Sequence, residues 1–132
     1  MTAAVLRNLQ NETKFWLRYP VPSAAADAAA FNPVFTESVD LMWRGPTWAY
    51  TNWLVMEGLW QQQKLGRCGE ANCVGLANSL LDRWLGLYER SGVWEMYNPL
   101  SGAGYGVRGL GMSTLIVDWL VRMGRANVTT NL

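Results

Sequence analysis

Met42-Trp43-Arg44-Gly45-Pro46-Thr47-Trp48-Ala49-Tyr50-Thr51-Asn52-Trp53-Leu54 opens a stretch that, after Pro46, runs to Gln63 with no helix breaker except Gly58. Pro46 suits the first turn of a helix, where its missing N–H costs nothing, so a helix is predicted from Pro46 to Gln63. Trp48, Ala49, Tyr50, Trp53, Leu54, Val55, Met56, Leu59 and Trp60 surround the whole cylinder, and this helix is expected to be buried on all sides. Gly66 and Gly69 then break the chain, and another helix follows from about Glu70 to Arg90. There Leu76, Leu80, Leu81, Trp84, Leu85 and Tyr88 recur at spacings of three and four, with Asn78, Asp82, Arg83 and Glu89 mostly opposite. A helix buried all round followed by a one-sided one is the alternation of two concentric helical rings.

Outward from this pair, residues 2 to 10 read as a short helix with Thr2 as its cap, and Ser113 to Met123 as a last helix whose inward stripe is Leu115, Ile116, Trp119, Leu120 and Met123. The fold class is therefore all-α. Four of the five prolines fall between positions 20 and 46, which makes Lys14 to Pro46 an ordered loop, and a loop of that length in a compact domain is usually functional. After Gly92 the next twenty residues hold five glycines, one proline and one asparagine, a composition of loops that admits a short hairpin. The final eight residues read as a frayed tail, so the division is 1–124 and 125–132.

Half of the 132 residues are apolar and 16% are charged, enough for one domain with a core. Eleven basic and ten acidic residues are scattered without a run, which argues against a nucleic-acid or anionic-membrane surface. The absence of histidine excludes Ser-His-Asp and Cys-His nucleophile systems, and the two cysteines have no partners to complete a metal shell. Cys68 and Cys73 are separated by four residues; a local disulfide is conceivable, but free thiols are the expected state. No apolar stretch is long enough to span a membrane and no leader pattern opens the chain, so a cytoplasmic location is favoured. Asn11-Glu12-Thr13 and Asn127-Val128-Thr129 match the glycosylation triplet, which arises by chance and settles no compartment.

Chemistry is sought first in Ser91 to Arg108, where Glu95 is the one acid among aromatic residues in a turn-rich segment. A carboxylate in a cleft walled by Trp94 and Tyr97 would be partly desolvated, which is how a general base is tuned. Taken alone, Glu95 reads more readily as a solvated hairpin carboxylate.

Read in order, Tyr19-Pro20-Val21-Pro22-Ser23, the Trp43-Arg44-Gly45-Pro46-Thr47-Trp48 run leading to Asn52-Trp53, the aliphatic helix and Trp94-Glu95-Met96-Tyr97-Asn98-Pro99 resemble the C-terminal part of glycoside hydrolase family 63. The group most similar is that of the mannosylglycerate and glucosylglycerate hydrolases, with the processing α-glucosidases and trehalases further away. The resemblance covers roughly residues 9 to 122 and implies a partial (α/α)6 toroid, about four helices of the twelve. It also implies inverting hydrolysis, in which one carboxylic acid protonates the leaving oxygen and a second carboxylate activates water, the two standing about 6.5 to 9.5 Å apart. Glu95 occupies the place of the general base. The general acid, an Asp far upstream in relatives, has no counterpart here; Asp27, Glu37, Asp40 and Glu57 do not lie in its motif.

The resemblance further implies that Trp43, Arg44, Trp48, Asn52, Trp53, Trp94, Tyr97 and Asn98 serve substrate binding, since pyranose C–H faces lie on indoles while hydroxyls need planar donors and acceptors. Many relatives have Arg-Asp-Phe-Ser-Trp-Thr where this chain reads Arg108-Gly109-Leu110-Gly111-Met112-Ser113, and Ala103 replaces an acid. No metal or organic cofactor is implied. The expected partners are a small carbohydrate and either the N-terminal part of the barrel or a second copy meeting exposed apolar helices. Two other readings stay open, a non-catalytic remnant and a carbohydrate-binding module.

Overall fold

The computed structural model describes residues 3–35 and 42–125. The chain is mostly helical: α1 (Ala3–Leu9), α2 (Ala49–Lys64), α3 (Cys73–Ser91) and α4 (Leu115–Arg122), with a 3₁₀ turn at Gly111–Thr114 leading into α4. Between α3 and α4 lies an antiparallel hairpin of β1 (Trp94–Tyr97) and β2 (Gly104–Arg108). Thr2, Glu37, Asp40 and the glycosylation triplet at Asn127 fall outside the described residues. So does the expected tail except for Arg125, which is tied to Asp82 by an ion pair of 2.6 Å.

The helices begin later than the sequence predicts, and each delay has a hydrogen-bonding cause. Thr47 exchanges both backbone hydrogen bonds with Tyr97, so its N–H and C=O are committed to an extended pairing and α2 cannot start until Ala49. Asn72, not a residue near Glu70, caps α3: its Oδ1 accepts from Gly75 N–H at 2.8 Å. Gly92, with φ of 76°, ends that helix as expected.

α2 is not buried all round. Its buried residues, Ala49, Asn52, Met56 and Leu59, form one stripe at spacings of three and four, and Leu54 on another side is 58% exposed. On α3 the buried line runs through Cys73, Ala77, Leu80, Leu81, Trp84 and Leu87, slightly rotated from the predicted one. The rotation arises because small Cys73 and Ala77 sit against the core while Leu76, Leu85 and Tyr88 are only partly covered. Between these two helices and α4 lies the core of Met56, Leu59, Leu80, Trp84, Ile116 and Trp119, with Tyr97 of the hairpin completing it. Cys68 and Cys73 are joined by a disulfide rather than free. The short connection between α2 and α3 holds both sulfurs in the buried interior, where the two side chains meet.

Candidate active site

Segments 19–23, 43–48 and 94–98, far apart in sequence, are brought together as one narrow ladder. Thr47 is its strut: the backbone pairs with Tyr97 at 2.8 and 2.9 Å, while Oγ1 donates to Val21 C=O at 2.8 Å. Pro22 bridges Thr47 from the other side, and Tyr97 pairs onward with Gly104, so Pro22, Thr47, Tyr97 and Gly104 lie side by side. Ser23 N–H donates to Pro46 C=O at 3.0 Å, its Oγ accepts from Gly45 N–H, and Tyr19 N–H donates to Pro99 C=O.

Asn52, on the first turn of α2, is fully buried and locks the 19–23 loop to this ladder. Its Oδ1 accepts from Val21 N–H at 2.5 Å, and its Nδ2 lies 2.9 to 3.0 Å from Val21 C=O, Thr47 Oγ1 and Trp48 C=O. Both Nδ2 hydrogens and one lone pair of Oδ1 are engaged within the fold. Asn52, expected as a sugar contact, is buried in this fold and shapes the loop. Tyr97 does not wall a cleft with Trp94. It is buried against Trp84 and Tyr88, and its hydroxyl accepts from Trp94 N–H at 2.7 Å and donates to Gly92 C=O at 2.8 Å. Burial pushes the Tyr97 phenol up to about 12, partly offset by the hydrogen bond from the Trp94 backbone.

Glu95 lies on β1, half-buried, with Oε2 accepting from Val107 N–H of β2 at 3.0 Å. Among the described residues Oε1 accepts no hydrogen bond and the carboxylate has no ion-pair partner. Trp94 next to it lies on the bare backbone of Gly104, where a Cβ would fall 2.1 Å from the indole, and its Nε1 donates to Ser91 C=O. The Asn98 side chain organises the following turn, accepting from Leu100 and Ser101 N–H, while its Nδ2 reaches Tyr105 Oη at 3.3 Å.

Trp43 and Trp48 stack at 4.3 Å with an interplanar angle of 11°, and Tyr50 meets both edge-on. The pair is graded outward. Trp48 is buried with its Nε1 unpartnered among the described residues, whereas Trp43 is 49% exposed. Arg44 is exposed and makes no ion pair among the described residues. Trp53 stands apart from this group. Its Nε1 donates to Asp118 Oδ2 at 2.9 Å, and Arg122 closes on both Asp118 and Glu57.

Residues 1–113 match the family described as Mannosylglycerate hydrolase MGH1-like glycoside hydrolase domain. The chain belongs to this family. A mannosylglycerate hydrolase of Thermus thermophilus is 32% identical over 117 residues, covering 86% of this chain and 25% of that protein. A probable mannosyl-oligosaccharide glucosidase of Schizosaccharomyces pombe is 25% identical over 126 residues, covering 87% of this chain and 14% of its own length. The crystal structure of a GH63 mannosylglycerate hydrolase from Thermus thermophilus in complex with glucose superposes with a TM-score of 0.69 at 29% identity, over 89% of this chain and 26% of that one. A second structure of that enzyme, in complex with Tris and D-glycerate, gives the same score and identity over 89% of this chain and 25% of the other. The chain thus spans about a quarter of the length of the mannosylglycerate hydrolase it matches.

For a member of this glycoside hydrolase family, the cavities lie in an unexpected place. One of about 390 Å³ is lined by Leu6, Arg7, Gln10 and the Cys68–Ala71 turn, and another of about 270 Å³ by Val5, Leu9, Phe15 and Val21. Neither includes Glu95, Trp43 or Arg44. No group of three metal-ligating side chains occurs, and no helix is long and apolar enough to cross a membrane, among the described residues. Two positions that support the ladder escaped the sequence reading. Thr47 had no signal beyond sitting between Pro46 and Trp48. Ser113, buried, donates from Oγ to Trp94 C=O at 2.6 Å and its carbonyl receives the Tyr88 hydroxyl.

Proposed function

We propose that residues 1–124 are the C-terminal portion of an inverting α-glycoside hydrolase domain, a partial (α/α)6 toroid of about four helices followed by a tail at 125–132, with Glu95 as the general base. The observation that carries the reading is the convergence of the three family segments on one ladder, with an otherwise unpaired carboxylate standing on it. Oε2 is anchored by a backbone N–H and Oε1 is left to take a proton from water. Attack by that water on the anomeric carbon breaks the glycosidic bond as a second carboxyl group protonates the leaving oxygen from the opposite face.

None of the ion-paired acids is proposed as that second group. Asp27 is paired with Lys14, Glu57 and Asp118 with Arg122, and Asp82 with Arg125. The substrate class is a small α-glucoside or α-mannoside, of the glycosyl glycerate type or with a terminal glucose, in keeping with the glucose and D-glycerate found in the Thermus enzyme. Exposed Trp43 and Arg44 suit a pyranose face and its hydroxyls. The partner is the rest of the toroid, which would cover the exposed Leu54 of α2 and Val117 and Val121 of α4.

The 132 residues alone are expected to give no measurable hydrolysis of mannosylglycerate or glucosylglycerate. In the native polypeptide that carries them, Glu95→Gln is expected to lower kcat by about 10²- to 10⁴-fold, the usual worth of an acid or base. Equal rates for wild type and Glu95→Gln would remove Glu95 from the mechanism. Sugar affinity without turnover in every form would favour a binding module instead.

A further inference from the structure

The β hairpin is irregular at one point, and that point is Glu95. Trp94 pairs with Arg108 and Met96 pairs with Tyr105, so the single residue Glu95 stands opposite two, Gly106 and Val107. This is a β-bulge. Gly106 has φ of 73°, the left-handed conformation that a glycine adopts at the first bulge position. The bulge turns the Val107 N–H toward the neighbouring strand's side chain, and Glu95 Oε2 accepts from it at 3.0 Å. The Glu95 side chain therefore runs across the α-carbon of Gly106. A Cβ added there would lie 2.4 Å from Oε2 and 2.9 Å from the Glu95 Cβ, which no side chain tolerates.

We propose that Gly106 and the Val107 amide are the positioning device for the Glu95 carboxylate. Gly106 provides the space in which the carboxylate lies, and Val107 fixes one of its oxygens and leaves the other to face the reaction. The inference rests on Glu95 acting as the base. It adds that the geometry of the base is set by the opposite strand, through a backbone bond and the absence of a side chain. A base must stand in line with its water, and a misplacement near 1 Å can cost about 100-fold in rate.

Gly109 supplies the control, because it has nearly the same positive φ, 74°, with nothing within 4 Å of an added Cβ. Alanine at either position bears the same left-handed strain, but only Gly106→Ala displaces the carboxylate. In the native polypeptide, Gly106→Ala is expected to lower kcat about 10- to 100-fold with KM within about threefold of wild type, and Gly109→Ala to keep kcat within about twofold at a comparable loss of melting temperature. Equal kcat for the two alanine variants, with Glu95→Gln inactive, overturns the positioning inference and leaves the base reading standing. Full activity in Glu95→Gln overturns the base reading itself. A second measurement covers the case in which Gly106→Ala does not fold. The Val107 amide, followed by NMR hydrogen exchange, should exchange about tenfold or more faster in Glu95→Ala than in wild type, because its acceptor is gone. Identical exchange in the two proteins means that the carboxylate does not hold the amide, and the proposal fails.

Discussion

Four polar contacts converge on the Asn52 amide, and no water or ligand can replace them while the 19–23 loop stays in place. Asn52→Ala leaves the Val21 N–H without its acceptor, while Val21 C=O keeps its bond from Thr47 Oγ1, and should lower the unfolding free energy by about 2 kcal/mol in urea titration, with faster proteolysis at 19–23. A loss under about 1 kcal/mol would mean that the loop is held by something else. Tyr97→Phe removes the hydroxyl that joins Gly92 to Trp94, at an expected cost of about 1 to 2 kcal/mol. The same group makes stability depend on alkali. Burial raises Tyr88 and Tyr97 above the ordinary phenol value, so the folded chain retains protons that the unfolded chain has released. The contribution is complete below pH 10 and is lost as pH rises through about 12, the Tyr97 value. Urea midpoints should therefore fall between about pH 10 and 12, and fall less in Tyr97→Phe; a flat profile in wild type would contradict the burial argument.

Among the elements, α2 carries two different kinds of attachment. Its first turn is tied to the ladder by Asn52, and its middle to α4 by Trp53, Glu57, Asp118 and Arg122. Asp118→Ala cuts the Trp53 hydrogen bond and one arm of the Arg122 pairing, and is expected to cost about 1 to 2 kcal/mol, because the charges are partly exposed while the indole N–H loses its acceptor. The far end of α2 is joined to α3 through the Cys68–Cys73 bridge. Reduction by a dithiol should lower stability by about 2 kcal/mol, the chain-entropy value for so short a loop, read as a shift in the urea midpoint. No shift would indicate that the turn is held fully by Gln63, whose Oε1 accepts from Cys73 N–H, and by the Asn72 cap. Helix existence was readable from spacing alone, since leucines at three and four residue intervals place one face of a cylinder in the core whatever lies beyond it. Helix ends were not, because Thr47 could start a helix or pair with Tyr97, and only the position of β1 decides between them.

Over the whole molecule, apolar side chains on α2 and α4 remain uncovered, with Leu54, Val117 and Val121 each at least half exposed. The isolated chain is expected to self-associate in sedimentation at micromolar concentration, and Leu54→Gln with Val121→Gln to disperse it; a monodisperse monomer of the unsubstituted chain would show that the faces need no cover. Rare residues in a fixed order sufficed to reveal the family, and Glu95 stood out because no other acid sits among aromatics in a loop-rich segment. The roles of its neighbours were hidden, since Asn52 and Tyr97 have side chains that serve a sugar and a buried backbone equally well. Composition and periodicity by themselves determined that helices form and roughly where they lie, because these depend on residue type and local spacing. Only the tertiary structure decided that the cysteines meet, that Asn52 and Tyr97 are consumed inside the fold, and that Gly106 lies beneath the carboxylate. Each of these depends on which distant backbone atom arrives to claim a side chain's hydrogen bonds or space, and spacing along a chain carries no record of that.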